Sequence, residues 1–168
     1  MNVEDKARTL VRTAFEHARA GKWLPLEALL DAGVPANVMN ANGDSLLMLA
    51  AYHGHHEAAR GLLERDADAT LVNDRGQTPL AGAAFKGDVG MVDLLVAGGA
   101  DVDQRMPGDK TALMFAAMFD RVDVVRRLVA LGASTSARDA GGVTAAELAA
   151  TMGAASAAEA LTQEAVFH

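Results

Sequence analysis

Three histidines, His53, His55 and His56, lie within four residues of one another and are the residues most typical of a metal site in this chain. Imidazole is a common ligand of zinc, usually beside thiolates or carboxylates. The chain has no cysteine, and no well-spaced carboxylate completes a set with these histidines. We therefore predict that the protein holds no metal ion and no cofactor.

Nucleophilic catalysis is the other chemistry that the residue types allow. A catalytic serine usually lies on a sharp turn between a strand and a helix, next to a base that a third group orients. Neither that turn nor an acid/base pair set apart from the repeated positions occurs in the sequence. The glycines recur where helices are predicted to end and do not form a phosphate-binding loop. These patterns predict that the protein is not an enzyme.

Composition and charge exclude further classes. Hydrophobic residues make up 51% of the 168 residues, but with five Phe, one Tyr and one Trp the core must consist mainly of Ala, Leu, Val and Met. A net charge of -7 argues against binding to nucleic acid or an anionic membrane, because phosphates attract clustered Lys and Arg. No apolar run reaches the roughly 18 residues of a membrane span. We expect a cytoplasmic protein that is neither exported nor inserted into a membrane.

A period of 33 residues organises the chain. The segments 41–73, 74–106 and 107–139 align without a gap, a shortened copy follows at 140–168, and a degenerate copy lies within 1–40. The sequence thus predicts one domain, 1–168, of about five units, in which the first and last are capping units.

The recurring residues predict a pair of helices in each unit. A hydroxyl suited to cap the first helix recurs at Ser45, Thr78, Thr111 and Thr144. Two turns later a glycine, replaced by Asp120 in one unit, is expected to end that helix in the left-handed conformation. The second helix then carries apolar residues on one face. Because one helical hairpin cannot bury this face alone, neighbouring units must stack into a solenoid.

The segment GQTPLAGAAFKGDVGMVDLLVAGGADVD at 76–103 resembles the ankyrin repeat, with its G-x-T-P-L-H-x-A-A and G-A-D-V-N motifs. The resemblance covers nearly the whole chain. It implies an all-α solenoid of stacked helix-turn-helix pairs with projecting β-hairpin-like fingers, and a non-catalytic role as a protein-interaction module. One departure is that the family's histidine after T-P-L is absent, its place being taken by Met48, Ala81, Met114 and Glu147.

In the family geometry, the ends of the first helices and the fingers form a concave binding face. The candidate residues at the helix ends are Tyr52, His53, Phe85, Lys86, Met118 and Phe119. Spaced by 33 residues, Tyr52, Phe85 and Met118 are predicted to form a ridge with Phe119 beside it. Such side chains often anchor protein interfaces, although the same rings can instead fill space between neighbouring repeats.

The candidate residues on the fingers are Asn42, Asp44, Arg75, Gln77, Arg105 and Lys110. With Lys86 and Arg138, the finger cations predict a locally basic face that would attract an acidic patch on a partner protein. They can also be ordinary solvated charges at loop tips. Two functions follow from the sequence. The first is a monomeric interaction module, and the alternative is a protein that self-associates through Met118 and Phe119.

Overall fold

The computed structural model describes residues 1–167, with side chains described for 1–163, so the last residue of the predicted C-terminal unit lies outside the described part. Ten α-helices follow one another: α1 Val3–Ala20, α2 Trp23–Asp31, α3 Leu46–Tyr52, α4 His56–Glu64, α5 Pro79–Lys86, α6 Val89–Ala97, α7 Ala112–Met118, α8 Val122–Ala130, α9 Ala145–Thr151 and α10 Ala155–Phe167. Between the described residues, β pairing is limited to isolated bridges at the fingers. The predicted all-α solenoid is confirmed.

The first helices of the repeats begin at the predicted hydroxyl groups. The third residue of α3, α5, α7 or α9 donates its backbone N–H to the side-chain oxygen of Ser45, Thr78, Thr111 or Thr144. In the last of these helices the Glu147 carboxylate also accepts from the Thr144 N–H at 2.9 Å. This reciprocal capping box has the T-x-x-E sequence signature, and it explains why a glutamate stands where the family often has a histidine.

The turn between the two helices of a repeat uses a left-handed residue. Gly54, Gly87 and Gly153 have φ of 74°, 75° and 73°, and Asp120 takes the same place with φ of 56°. The aspartate has a second role, because its Oδ1 accepts the Ala157 N–H at 2.7 Å. It therefore satisfies one of the free N–H groups in the first turn of α10, a bond that reaches into the next repeat.

Two layers of helices enclose the core. The first helices α1, α3, α5, α7 and α9 pack side by side in chain order, and α2, α4, α6, α8 and α10 form the second layer. The recurring alanine pairs are almost completely buried in the first three complete repeats, where their small size lets neighbouring helices approach closely. Gly61 allows a similar approach in the second layer, because any side chain there would collide with the indole of Trp23.

Candidate functional site

The fingers are the loops that join one repeat to the next, and in three of the four within the described residues a side chain at the start of the loop determines its shape. Asn40, Asn73 and Asp139 occupy equivalent positions, and the Oδ1 of each accepts the backbone N–H groups two and four residues later. Such bonds fix the backbone of a tight turn. The recurrence of Asn or Asp at 40, 73 and 139 is visible in the sequence, but the sequence reasoning missed it.

The third finger is built differently, because Met106 stands at the equivalent position and cannot accept these bonds. A short 3-10 turn, Pro107–Asp109, replaces the side-chain closure. The Arg105 guanidinium holds it by donating to the backbone oxygen of Asp109 at 2.6 Å and to that of Arg138 at 2.7 Å. Met106 itself is buried.

Backbone bonds join the fingers in two pairs. Asp74 donates its N–H to the carbonyl of Asn42 at 3.0 Å, and Ala140 donates to that of Gly108 at 2.8 Å. The equivalent donor between the second and third fingers would be residue 107, which is a proline without an N–H. Among the described residues, the backbone bonds between fingers therefore connect the first with the second and the third with the fourth.

A groove lies beside the first two fingers, over the ends of α3, α5 and α7; we call it the central groove. Its volume is about 600 Å³. The predicted binding residues that line it are Asn42, Asp44, Tyr52, His53, Arg75, Gln77, Phe85 and Phe119. The other four predicted residues, Lys86, Arg105, Lys110 and Met118, do not line it.

The three most exposed aromatic rings of the described side chains contribute to the apolar lining of the central groove. Tyr52, Phe85 and Phe119 are 41%, 36% and 40% exposed. Phe85 and Phe119 meet edge to face with their ring centroids 4.8 Å apart, a favourable geometry for two aromatic rings. The ridge that the sequence predicts thus has Phe119 as its third member within the groove, while Met118, one residue earlier, is half-buried outside it.

Polar and charged side chains surround these rings. Lys86 places its Nζ 4.4 Å from the centre of the Tyr52 ring, close enough for a cation–π interaction. The pKa of His53 is lowered from 6.5 first by partial burial and then by electrostatic interaction with the neighbouring basic side chains, among them Arg19 and Lys86. Since each of these effects disfavours the imidazolium, His53 is neutral near pH 7 and can both donate and accept a hydrogen bond.

Most of the basic finger residues already have partners. Lys110 donates to Asp139 at 2.7 Å, and Arg138 lies 3.6 Å from Glu147. The bond from Lys110, followed by that from the Val143 N–H, lowers the pKa of Asp139 from 3.8. With Arg105 bound to carbonyl oxygens, the cations of the predicted basic face that make no hydrogen bond or ion pair within the described residues are Arg75 and Lys86.

The histidine cluster connects neighbouring repeats. The Nε2 of His55 lies 2.8 Å from the carbonyl oxygen of Arg19, and the Nε2 of His56 lies 2.8 Å from a carboxylate oxygen of Asp88. His53 remains in the central groove. Within the described part of the chain, no three His, Asp or Glu side chains are placed to share a metal ion. The same part contains no helix with the length and apolar character of a membrane span.

Comparison with known proteins identifies relatives of this chain. Residues 16–106 and 83–167 match the family model described as ankyrin repeats in three copies. A protein of Pseudomonas aeruginosa whose name describes it as an ankyrin repeat protein is 49% identical over 55 residues. This similarity covers 33% of the present chain and 32% of the relative, so about one third of the relative is spanned.

Proposed function

Because the chain belongs to the ankyrin-repeat family, whose repeats are generally non-enzymatic protein-interaction modules, we propose that it binds a partner protein through the central groove. The observation that carries this proposal is the convergence of Tyr52, Phe85 and Phe119. They are the aromatic side chains with the largest exposure among residues 1–163, and all three line one concavity.

The three rings have apolar surface that a partner can bury. Aromatic residues in the centre of an interface often dominate its binding energy, since they bury large areas and lose little conformational freedom. Phe85 and Phe119 already fix each other's orientation through their edge-to-face contact. An apolar side chain of the partner that enters the groove would therefore meet an ordered surface, which lowers the entropic cost of binding.

The rim of the groove supplies hydrogen-bonding groups around this apolar centre. Asn42 and Gln77 belong to the first two fingers, whose loops are held by the side chains of Asn40 and Asn73. Such rigid polar groups suit the recognition of a partner's backbone or polar side chains. The remaining predicted residues, Lys86, Arg105, Lys110 and Met118, would extend the interface along the concave face.

The test compares three forms of the protein in capture from native lysate, after circular dichroism confirms their folding. They are the wild type, the triple variant Tyr52→Ala, Phe85→Ala, Phe119→Ala, and a control that truncates the exposed Leu24, Val72 and Met152, none of which lines the groove. We expect a partner that the wild type and the control retain and the triple variant loses. With purified components, its affinity should fall at least about ten-fold in the triple variant.

Equal binding by the wild type and the triple variant would contradict the proposal. The sequence-based alternative, self-association, is tested by sedimentation velocity of the wild type and the triple variant. A dimer that the aromatic substitutions convert to a monomer would assign the groove to a second copy of the chain. We expect both proteins to sediment as monomers. We also propose that the protein acts in the cytoplasm.

A further inference from the structure

A second concavity, which we call the N-terminal groove, lies between helix α1 and the first finger. Its volume is about 510 Å³, and it shares no residue with the central groove. Helix α1 starts at Val3, so residues 7–11 are helical. The equivalent residues 33 positions later, 40–44, form the first finger. The N-terminal end of the solenoid therefore presents a helix face in the place of a finger.

The floor of the N-terminal groove is apolar. Val11 and Phe15 lie one turn apart on α1, and Met39 faces them from the start of the first finger. Phe15 is buried, Val11 is partly buried and Met39 is 43% exposed. The groove can thus receive an aliphatic or aromatic side chain, which would bury the exposed part of Met39.

The walls of this groove are positively charged. Three guanidinium groups, those of Arg8, Arg12 and Arg19, and one carboxylate, that of Glu16, are among the lining residues. This local balance of +2 contrasts with the net charge of -7 for the whole chain. Arg8 and Arg12 are one helical turn apart and so project from the same side of α1.

The side chains of these three arginines have no polar partner within the described part of the molecule. The Arg and Lys residues that form its ion pairs are Arg65, Lys110, Arg127 and Arg138. The side chains of Arg8, Arg12 and Arg19 are exposed and make neither an ion pair nor a hydrogen bond there. Three like charges along one groove repel one another, and an anionic occupant removes that repulsion.

We propose that the N-terminal groove binds an acidic segment of a partner protein. Carboxylates of the segment pair with Arg8, Arg12 and Arg19, since a guanidinium matches a carboxylate with two parallel hydrogen bonds. An apolar side chain of the same segment packs on Val11 and Met39. A peptide fits better than a nucleic acid, because an overall charge of -7 repels a polyphosphate and the floor of the groove is apolar. The proposal is independent of the function assigned to the central groove.

The experiment selects binders from phage-displayed random 16-residue peptides on three forms of the full chain. These are the wild type, Arg8→Glu/Arg12→Glu, and the matched control Arg60→Glu/Arg126→Glu. The control makes the same charge change at exposed arginines of α4 and α8 that form no ion pair in the described residues. Circular dichroism checks each fold, and Arg8→Gln/Arg12→Gln replaces the first variant if it fails to fold.

We expect peptides that bind the wild type and the control but not the variant of α1, and these peptides should be rich in Asp and Glu beside an apolar residue. For a synthetic member, the affinity should fall at least about ten-fold in the α1 variant and weaken with added salt. The triple variant of the central groove is expected to bind this peptide with the affinity of the wild type. Failure of the function proposed for the central groove would therefore leave this result unchanged.

Three outcomes would overturn the proposal. The first is that no peptide distinguishes the α1 variant from the control. The second is that the distinguishing peptides contain no excess of acidic residues. The third is a wild-type dimer in sedimentation velocity that Arg8→Glu/Arg12→Glu converts to a monomer, because the occupant would then be a second copy of the chain.

Discussion

The first two fingers and the last two lie at equivalent positions of successive repeats but are held by different chemistry. Neutral amides of Asn40 and Asn73 close the first two, and Asn73 also donates to Asp44 of the neighbouring finger at 3.0 Å. In the last two, Arg105 and Lys110 bind oxygen atoms of the fourth finger. Lys110 is paired with the Asp139 carboxylate and Arg105 is bound to backbone carbonyl oxygens, so both contribute less to the attraction of a partner.

The two grooves proposed as binding surfaces both adjoin fingers that are closed by amides. The central groove adjoins the first two fingers, and the N-terminal groove adjoins α1 and the first finger. The two grooves also differ in charge. Asp44 and Asp74 against Arg75 leave the central groove with a balance of -1, while the N-terminal groove has +2. The partner segments that fit them should therefore differ in chemistry.

The largest effect is expected for Asp120→Ala, which tests how far the stability of the last two repeats depends on the side chain of Asp120. The substitution removes the acceptor for the Ala157 N–H and leaves alanine at φ of 56°. The free energy of unfolding should fall by about 2 to 3 kcal/mol. Urea denaturation measures this loss, with Asp120→Asn as a control that keeps both the acceptor and a residue type tolerant of this conformation. Equal stability of the alanine variant and the wild type would contradict it.

Asn73→Ala tests in the same way how far the protein's stability depends on the side chain that closes the second finger. The substitution removes the acceptor for two backbone N–H groups and the donor to Asp44 and Gln77. Because these groups are only partly buried, we expect the free energy of unfolding to fall by about 1 to 2 kcal/mol. Asn73→Asp keeps the acceptor but loses the donor and faces the Asp44 carboxylate, so it should not restore the wild-type stability. If both variants denature at the wild-type urea concentration, the side-chain closure does not stabilise this finger.

Low pH should affect the stability of the second and fourth fingers differently, because an amide closes the second finger and a carboxylate closes the fourth. The pKa of Asp139 is lowered in the folded protein, chiefly by Lys110. The stability from this shift is present above the carboxylate's unfolded pKa and is lost as the pH falls through the folded pKa. Hydrogen exchange between about pH 6 and about pH 3 should thus show earlier loss of protection in the fourth finger than in the second. Lys110→Met should reduce that difference. Equal loss of protection in both fingers would contradict the stabilising role assigned to the Asp139 carboxylate.

The smallest effect is expected for Pro107→Ala, which restores an N–H between the two pairs of fingers. By its place in the repeat, the new donor corresponds to the N–H groups of Asp74 and Ala140, with the Arg75 carbonyl as the equivalent acceptor, but the chain also gains freedom in the unfolded state. These contributions oppose each other, so the free energy of unfolding should change by less than about 0.5 kcal/mol. A shift above about 1 kcal/mol in urea denaturation would show that the proline itself shapes the third finger.

Much of the fold could be predicted from local signals in the sequence. The hydroxyl groups that cap the first helices and the left-handed residue at position 120 act within one turn of backbone, so their period shows where each helix begins and ends. The finger closures by Asn40, Asn73 and Asp139 are equally local and were available in the same alignment of repeats. Tyr52, Phe85 and Phe119 were also named from the sequence, and all three line the central groove, whereas Met118 does not.

By itself, the sequence determined which residues begin, end and bury each helix, because capping, left-handed turns and apolar faces depend on neighbours within a few positions along the chain. The tertiary structure alone decided which charges are free. Lys110 and Arg8 are both cations, but Lys110 meets a carboxylate 29 residues away and Arg8 meets none among the described residues. Such pairing depends on distances between stacked repeats, which the period of the sequence does not contain.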